Sequence, residues 1–290
     1  MDEVVSPTAF WILLALLSAS LEPIVAKLGY KQGIDPVQLL FLKNLFALVA
    51  ILPVTSFAAR GKERWRWIGA RGVATVASVS LLLMVTNACS LVAVKMMPAI
   101  TVITLMTTTP AFVALLNQWQ GRERLTGKFW AGLAMCVLGV AMSMNLFQES
   151  LGLERWGLLA IAISILSSTV YRTRMETVTK QFPPILVSTY IFLINGTVSL
   201  LFIFPALDPI PAQGYGLGVW LGAAAAIANV AFLYALAIVG STNMSVFNLL
   251  QRPIVLVVAA FVLREPLTAV QLAGTVLILV GVRLAQVKRK

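Results

Sequence analysis

No histidine occurs in this chain of 290 residues, and there are only two cysteines. Without histidine the usual general base, the usual near-neutral proton switch and the commonest metal ligand are missing. Cys89 and Cys136 both fall inside apolar stretches. They suit no disulfide framework, and two thiols without histidine make no zinc site. Charge is scarce too: Asp, Glu, Lys and Arg make up 11% of the chain, whereas soluble domains hold about a quarter. There is no Gly-rich phosphate loop, Walker lysine or nucleophile elbow. These absences leave no machinery for ATP hydrolysis and no catalytic constellation, so neither an enzyme nor a resident cofactor is expected.

What fills the chain instead is apolar. Hydrophobic residues make up 59% of it and the mean hydropathy is +0.91. A globular domain of this size has no way to hide so much apolar surface from water, whereas a bilayer does. The formal net charge is +11, but the basic residues sit in short connecting segments, and no long polar segment is present to carry a nucleic-acid module. The expected partners are therefore the lipid bilayer and a small solute, not nucleic acid. The first apolar stretch has no basic region before it and is too long for a signal peptide core, so it is expected to be a mature span.

A bilayer crossing needs about twenty apolar residues. Ten such stretches lie near 8–28, 36–57, 70–94, 98–118, 127–147, 155–173, 184–205, 216–239, 243–263 and 268–286. Asp35-Pro36, Met97-Pro98, Pro183-Pro184 and Asp208-Pro209 punctuate the gaps. The runs are too long for barrel strands, which would alternate over ten residues. With alternate loops on one side, fifteen basic residues collect there, among them Arg60, Arg122, Arg172, Arg174 and Lys180, against four on the other. The positive-inside bias then places both termini in the cytoplasm, in a cell (inner) membrane. Trp65, Trp67, Trp119, Trp130 and Trp156 fall near span ends, as an aromatic belt requires. Asn195-Gly196-Thr197 matches a glycosylation acceptor but lies within a span.

The chain also repeats itself. Glu123-Arg124-Leu125-Thr126 returns as Glu265-Pro266-Leu267-Thr268, and the same shift of 142 residues carries Gly132 onto Gly274 and Gly139 onto Gly281. Pro110 and Pro253 correspond with a one-residue slip. The two halves are 8–147 and 155–287, with five spans each. A unit with an odd number of spans, repeated in tandem, enters the membrane the second time in the opposite orientation. Inverted repeats of that kind underlie alternating access in many transporters. The paired glycines, two turns apart, are expected to serve close helix packing. Glu123 and Glu265 are expected to favour the positive ends of the helices that follow, and Thr268 with Gln271 spells a capping box.

This pattern, a proline-containing span, a short loop with Glu-x-Leu-Thr and a Gly-spaced span, occurs twice. It resembles the EamA family of the drug/metabolite transporter superfamily. The stretch Ser-Ala-Ser-Leu-Glu-Pro-Ile-Val-Ala-Lys of the first span is similar to that family's opening helix, with Lys27 in place of its lysine, and Lys43 stands where the second span usually has a basic residue. Glu22-Pro23 departs from the small Gly/Trp-type motif usual there. The resemblance covers nearly the whole chain. It implies an all-α integral membrane fold of ten transmembrane helices in two inverted five-helix repeats, acting as a carrier. The family handles amino acids, amines, nucleosides and other solutes, so it names no substrate.

Charges inside a bilayer cost roughly 2.5–3.5 kcal/mol each on translocon scales, so those within spans are candidate site residues. Glu22 and Lys43 come to a similar level in the outer half, Arg252 lies nearer the midplane, and the three are expected to form the polar floor of a central site. A static Glu22–Lys43 ion pair is the plainer alternative. Arg252 stays charged at any working pH and would then have no acid left to hold it, which suits an anion from solution. Ser245, Asn248 and Arg252 share one face of the ninth span, and Thr101, Thr104 and Thr108 repeat that spacing on the fourth. Asn44, Asn87, Tyr234 and Gln251 are further substrate-binding candidates, and Pro23, Pro110 and Pro253 are candidate hinges. The expected function is secondary transport of a small anionic or zwitterionic metabolite, such as an amino acid or organic acid. The alternative is a carrier of amines or drugs that uses Glu22. Ten spans hold a complete site in one chain, so a monomer is plausible and a dimer is not excluded.

Overall fold

A computed structural model describes residues 7–58, 68–97, 99–143, 154–263 and 268–287. Every regular element among them is helical. In chain order these are α1 (Pro7–Lys31), α2 (Pro36–Ala58), α3 (Gly69–Met96), α4 (Ala99–Met106), α5 (Thr109–Trp119), α6 (Gly127–Ser143), α7 (Arg155–Gln181), α8 (Pro184–Val198), α9 (Ala212–Val239), α10 (Ser241–Phe247), α11 (Gln251–Leu263) and α12 (Ala269–Leu284). Five helical stretches are long and apolar enough to cross a bilayer, and three shorter apolar ones lie in α1, α6 and α12. The other two crossings are interrupted: the fourth is α4 plus α5, and the ninth is α10 plus α11. These make up the ten expected crossings of an integral membrane protein. Large apolar side chains lie on the outside, with Phe202 and Trp220 each 73% exposed, a surface suited to lipid. Trp119, Trp130 and Trp156 are exposed at helix ends. Trp65 and Trp67 lie outside the described residues.

The compact units cut across the sequence halves. One comprises residues 1–81 and 175–238, the other 82–174 and 239–290. Each is organised around an antiparallel pair of repeat mates. In the first unit these are α2 and α8, which start at Pro36 and Pro184, where a missing N–H costs nothing. Leu48 packs on Gly196, Thr55 and Thr189 share a 2.6 Å hydrogen bond, and Asn44 donates to Ser199 at 3.0 Å. The partner's number falls as the first residue's rises, so the two helices run in opposite directions. Beyond α8 the chain widens into a π-helical turn, Ser199–Ile203.

In the second unit the mates are α6 and α12. A Cβ on Gly132 would lie 2.6 Å from the Gly281 carbonyl oxygen, and one on Gly139 would lie 2.6 Å from that of Gly274. Each glycine touches the mate of the other, as a local twofold axis between inverted copies demands. Near that axis Cys136, itself the counterpart of Ile278, points its thiol at the Ile278 carbonyl. Phe129, Leu133, Val140, Ile278 and Val282 complete the buried seam.

Two local expectations meet different outcomes. The capping box at Thr268 and Gln271 is formed on both sides. Glu123, however, does not cap α6: it is buried and accepts a 2.5 Å hydrogen bond from the Thr242 hydroxyl. Asn117 donates to Ser241 at 2.8 Å and to Thr242 at 2.9 Å beside it. The loop is short enough to bring the carboxylate to α10 rather than to the helix that follows. Glu265 lies outside the described residues.

Candidate functional site

The two interrupted crossings break at matched places, and the causes are local. After Met106 three successive threonines turn their hydroxyls back onto carbonyls three residues earlier: Thr107 to Thr104, Thr108 to Leu105 and Thr109 to Met106, at 2.6–2.7 Å. These bonds satisfy carbonyls left open at the end of α4. Pro110 then stands in the first turn of α5, where its missing N–H is harmless. On the other crossing a 3-10 turn, Asn248–Leu250, separates α10 from α11, and Pro253 stands in the first turn of α11. Both prolines therefore mark restarts of a helix rather than kinks within one. Pro23 lies within the helical run of α1.

A cavity of about 100 Å³ lies at the breaks, wholly within the second unit. It is lined from α4, α5 and the link between them by Met106, Thr107, Thr109 and Pro110, and from α10, α11 and theirs by Ser245, Asn248, Leu249, Gln251 and Arg252. Helix α7 adds Ser168 and Arg172. The Arg172 guanidinium is held by its own helix, Nε donating to Ser168 Oγ at 3.3 Å. The Asn248 amide, oriented so that its oxygen faces donors, accepts from both terminal nitrogens of Arg172, at 2.7 and 3.2 Å. No carboxylate is among the described lining residues, and none lies within ion-pair distance of Arg252 among the described residues. Ser245 is 3% exposed, and its hydroxyl has no hydrogen-bond partner among the described residues. The N-terminal turns of α5 and α11 also border the cavity, and that end of a helix carries partial positive charge.

Of the expected site residues, Ser245, Asn248, Gln251, Arg252 and Pro110 are brought together here, with Pro253 adjacent in sequence. Thr104 and Thr108 are not in the lining; the interruption of the helix turns Thr107 and Thr109 toward it instead. Asn87 is half-buried on α3, outside the lining. Arg172 and Ser168 were missed. The sixth span reads as 155–173 and its arginines as a loop, but no proline or glycine stops α7 before Gln181, so Arg172 is a helical residue facing a cavity.

The remaining candidates belong to the first unit. Lys43 Nζ lies 2.6 Å from Glu22 Oε1, with side-chain exposures of 15% and 46%. Asn44 is buried and bound to Ser199. Tyr234 stacks on Trp11, with ring centroids 4.4 Å apart.

The model of the EamA-like transporter family matches residues 6–145 and again 155–286. The chain belongs to the EamA-like transporter family. The double match coincides with the internal repeat and agrees with the resemblance to drug/metabolite transporters. This EamA-like protein is thus a multi-pass membrane protein of a transporter family. A protein of known crystal structure shares the fold, with a TM-score of 0.75 at 16% identity over 97% of each chain. No curated protein matches.

Proposed function

We propose that this EamA-like protein is a secondary carrier for a small polar metabolite bearing an anionic group, working by alternating access, with the cavity at the helix breaks as its substrate site. The observation that carries this reading is a cavity whose lining holds Arg252, with no carboxylate within ion-pair distance among the described residues, beside a second arginine, Arg172. An arginine left unbalanced in a bilayer is costly, and a solute carboxylate or phosphate that accepts its paired N–H groups relieves that cost. Interrupted helices are a recurring way for transporters to present helix ends to a substrate. On this reading Arg252 and Arg172 hold the anion, Asn248 fixes Arg172, and Ser245, Thr107, Thr109 and Gln251 supply neutral polar contacts. Glu22 and Lys43, with Asn44 and Tyr234, form the polar part of the first unit, an ion pair that a passing solute or a proton opens. The gradient or an exchanged solute drives the cycle, both termini face the cytoplasm, and one chain suffices.

A second reading has its own observation. The Glu22 carboxylate keeps nearly half of its surface open despite the Lys43 contact, so an amine would find an acceptor there.

Counterflow in proteoliposomes tests the proposal. Vesicles carrying the protein are loaded with unlabelled succinate, glutamate, glycerol 3-phosphate or putrescine, and the labelled form is added outside. Transient accumulation of a labelled anion above its equilibrium level supports an anion carrier. Accumulation of putrescine alone supports the amine reading, and a sustained conductance without counterflow would make the protein a channel.

A further inference from the structure

The lining of the cavity divides into a donating side and an accepting side. From α10, α11 and the turn between them come Ser245, Asn248 and Arg252. Arg252 has no carboxylate within ion-pair distance among the described residues, and the buried Ser245 hydroxyl has no partner among them. Asn248 turns its oxygen to Arg172, which leaves its amide N–H groups to donate. From α5 and the turn before it come Thr107 and Thr109. Each has committed its hydroxyl hydrogen, Thr107 to the Thr104 carbonyl at 2.6 Å and Thr109 to that of Met106 at 2.7 Å. What those two oxygens still offer is lone pairs, so they accept and do not donate. A ligand that suits both sides has accepting oxygens at one end and a donor at the other.

We propose that the occupant is a short 2-hydroxy monocarboxylate, with its carboxylate on Arg252 and Ser245 and its hydroxyl donating to Thr107 or Thr109. This rests on the carrier reading above and names its substrate class. A single negative charge is called for, because Arg172 is already held by Ser168 Oγ and Asn248 Oδ1 and only Arg252 is counted as awaiting an anion. A carboxylate meets the paired N–H groups of a guanidinium in bidentate fashion. The donor at the other end is a hydroxyl rather than an ammonium. An ammonium would bring a charge to a described lining that contains no carboxylate, and removing it from water there is costly without a counter-charge. A hydroxyl bonded to a threonine oxygen carries no such cost. Size agrees. The cavity holds about 100 Å³. That is less than the 150 Å³ or so that takes the carbons of benzene, which limits the ligand to about five heavy atoms, the size of glycolate. Met106, Pro110 and Leu249 supply an apolar wall for its carbon.

The test is thermal stabilisation of the purified full chain by acids of equal size that differ only in the group at the far end. Glycolate carries a hydroxyl there, propionate a methyl and glycine an ammonium. On the wild type, glycolate is expected to bind about tenfold more tightly than either of the others, the worth of one added hydrogen bond. A longer hydroxy acid, 2-hydroxyhexanoate, is expected to bind more weakly than glycolate, and equal binding overturns the size limit and with it the assignment to this cavity. Arg252→Gln is expected to weaken all three small acids together, and Thr107→Val or Thr109→Val to bring glycolate down to the affinity of propionate. Propionate or glycine binding as tightly as glycolate, a preference for glycolate intact in both valine variants, or glycolate binding unchanged in Arg252→Gln overturns the hydroxy-acid inference. So does glycolate without effect while succinate or glutamate still shows counterflow, a result that leaves the anion carrier standing. If no anion binds or exchanges, the carrier reading falls with it. If the variants do not fold, the wild-type comparison of glycolate, propionate and glycine still decides.

Discussion

Gly139 and Gly274 meet backbone to backbone: a Cβ on Gly139 would lie 2.6 Å from the Gly274 carbonyl oxygen, and one on Gly274 would lie 2.5 Å from that of Gly139. The obstacle on each side is backbone, which cannot swing away as a side chain does. Gly139→Ala is therefore expected to destabilise the protein by about 1–3 kcal/mol, the range of overpacked cores, and Gly139→Leu to prevent folding. Gly127, where a Cβ meets nothing within 4 Å, is the control. Melting curves in one detergent check both, and equal melting points for Gly139→Ala and Gly127→Ala would refute the close seam.

Thr242 donates to the buried Glu123 carboxylate and accepts from Asn117. Thr242→Val keeps the shape but removes both bonds, leaving a buried carboxylate short of a donor. The expected loss is about 1–3 kcal/mol. Thr242→Ser, which keeps the hydroxyl, is expected to lose less than half as much. A valine variant as stable as the serine variant would show that the hydroxyl contributes nothing.

The 2.6 Å contact between Lys43 and Glu22 predicts energetic coupling. Glu22→Gln and Lys43→Met each leave one charge behind, whereas the double variant leaves none. The double variant is expected to be more stable than the sum of the two single losses implies, by about 1 kcal/mol, within the usual range for contacting residues. Strict additivity in the cycle would mean that the pair is not formed in the membrane.

Pro110 occupies the first turn of α5, where proline fits without strain. Pro110→Ala is expected to cost about 0.4–1 kcal/mol through the greater freedom of the unfolded chain. A proline that distorted a continuous helix would give the opposite sign, so a raised melting point would contradict the restart described here.

Much of this architecture is legible in the amino-acid order. Ten apolar runs, the glycine pairs seven apart and the Thr268–Gln271 capping box all express local rules, period and backbone chemistry, which the structure follows. The repeat-mate glycines even anticipate which helices touch. What local rules miss is where a helix stops inside an apolar run. Thr107-Thr108-Thr109 reads as the continuation of a span, yet hydroxyl bonds to the preceding carbonyls make it the end of one. That shift moves the lining from Thr104 and Thr108 to Thr107 and Thr109. Arg172 was hidden for the complementary reason: charged residues near the end of an apolar run resemble a loop, and only the unbroken length of α7 puts this one on a helix facing a cavity. The partners of Glu123 belong to tertiary packing, which no spacing along the chain reveals.

This EamA-like protein is proposed to hold an anion between Arg172 and Arg252. The most direct measurement is a melting-point panel of organic anions and amines on the wild type, Arg252→Gln and Glu22→Gln. A bound solute raises the melting point by mass action. Anions are expected to stabilise the wild type, Arg252→Gln to lose that stabilisation by about ten- to a hundredfold in affinity, as fits about 1.5–3 kcal/mol of charge-assisted bonding, and Glu22→Gln to keep it. Stabilisation by amines alone, abolished in Glu22→Gln and intact in Arg252→Gln, would contradict it.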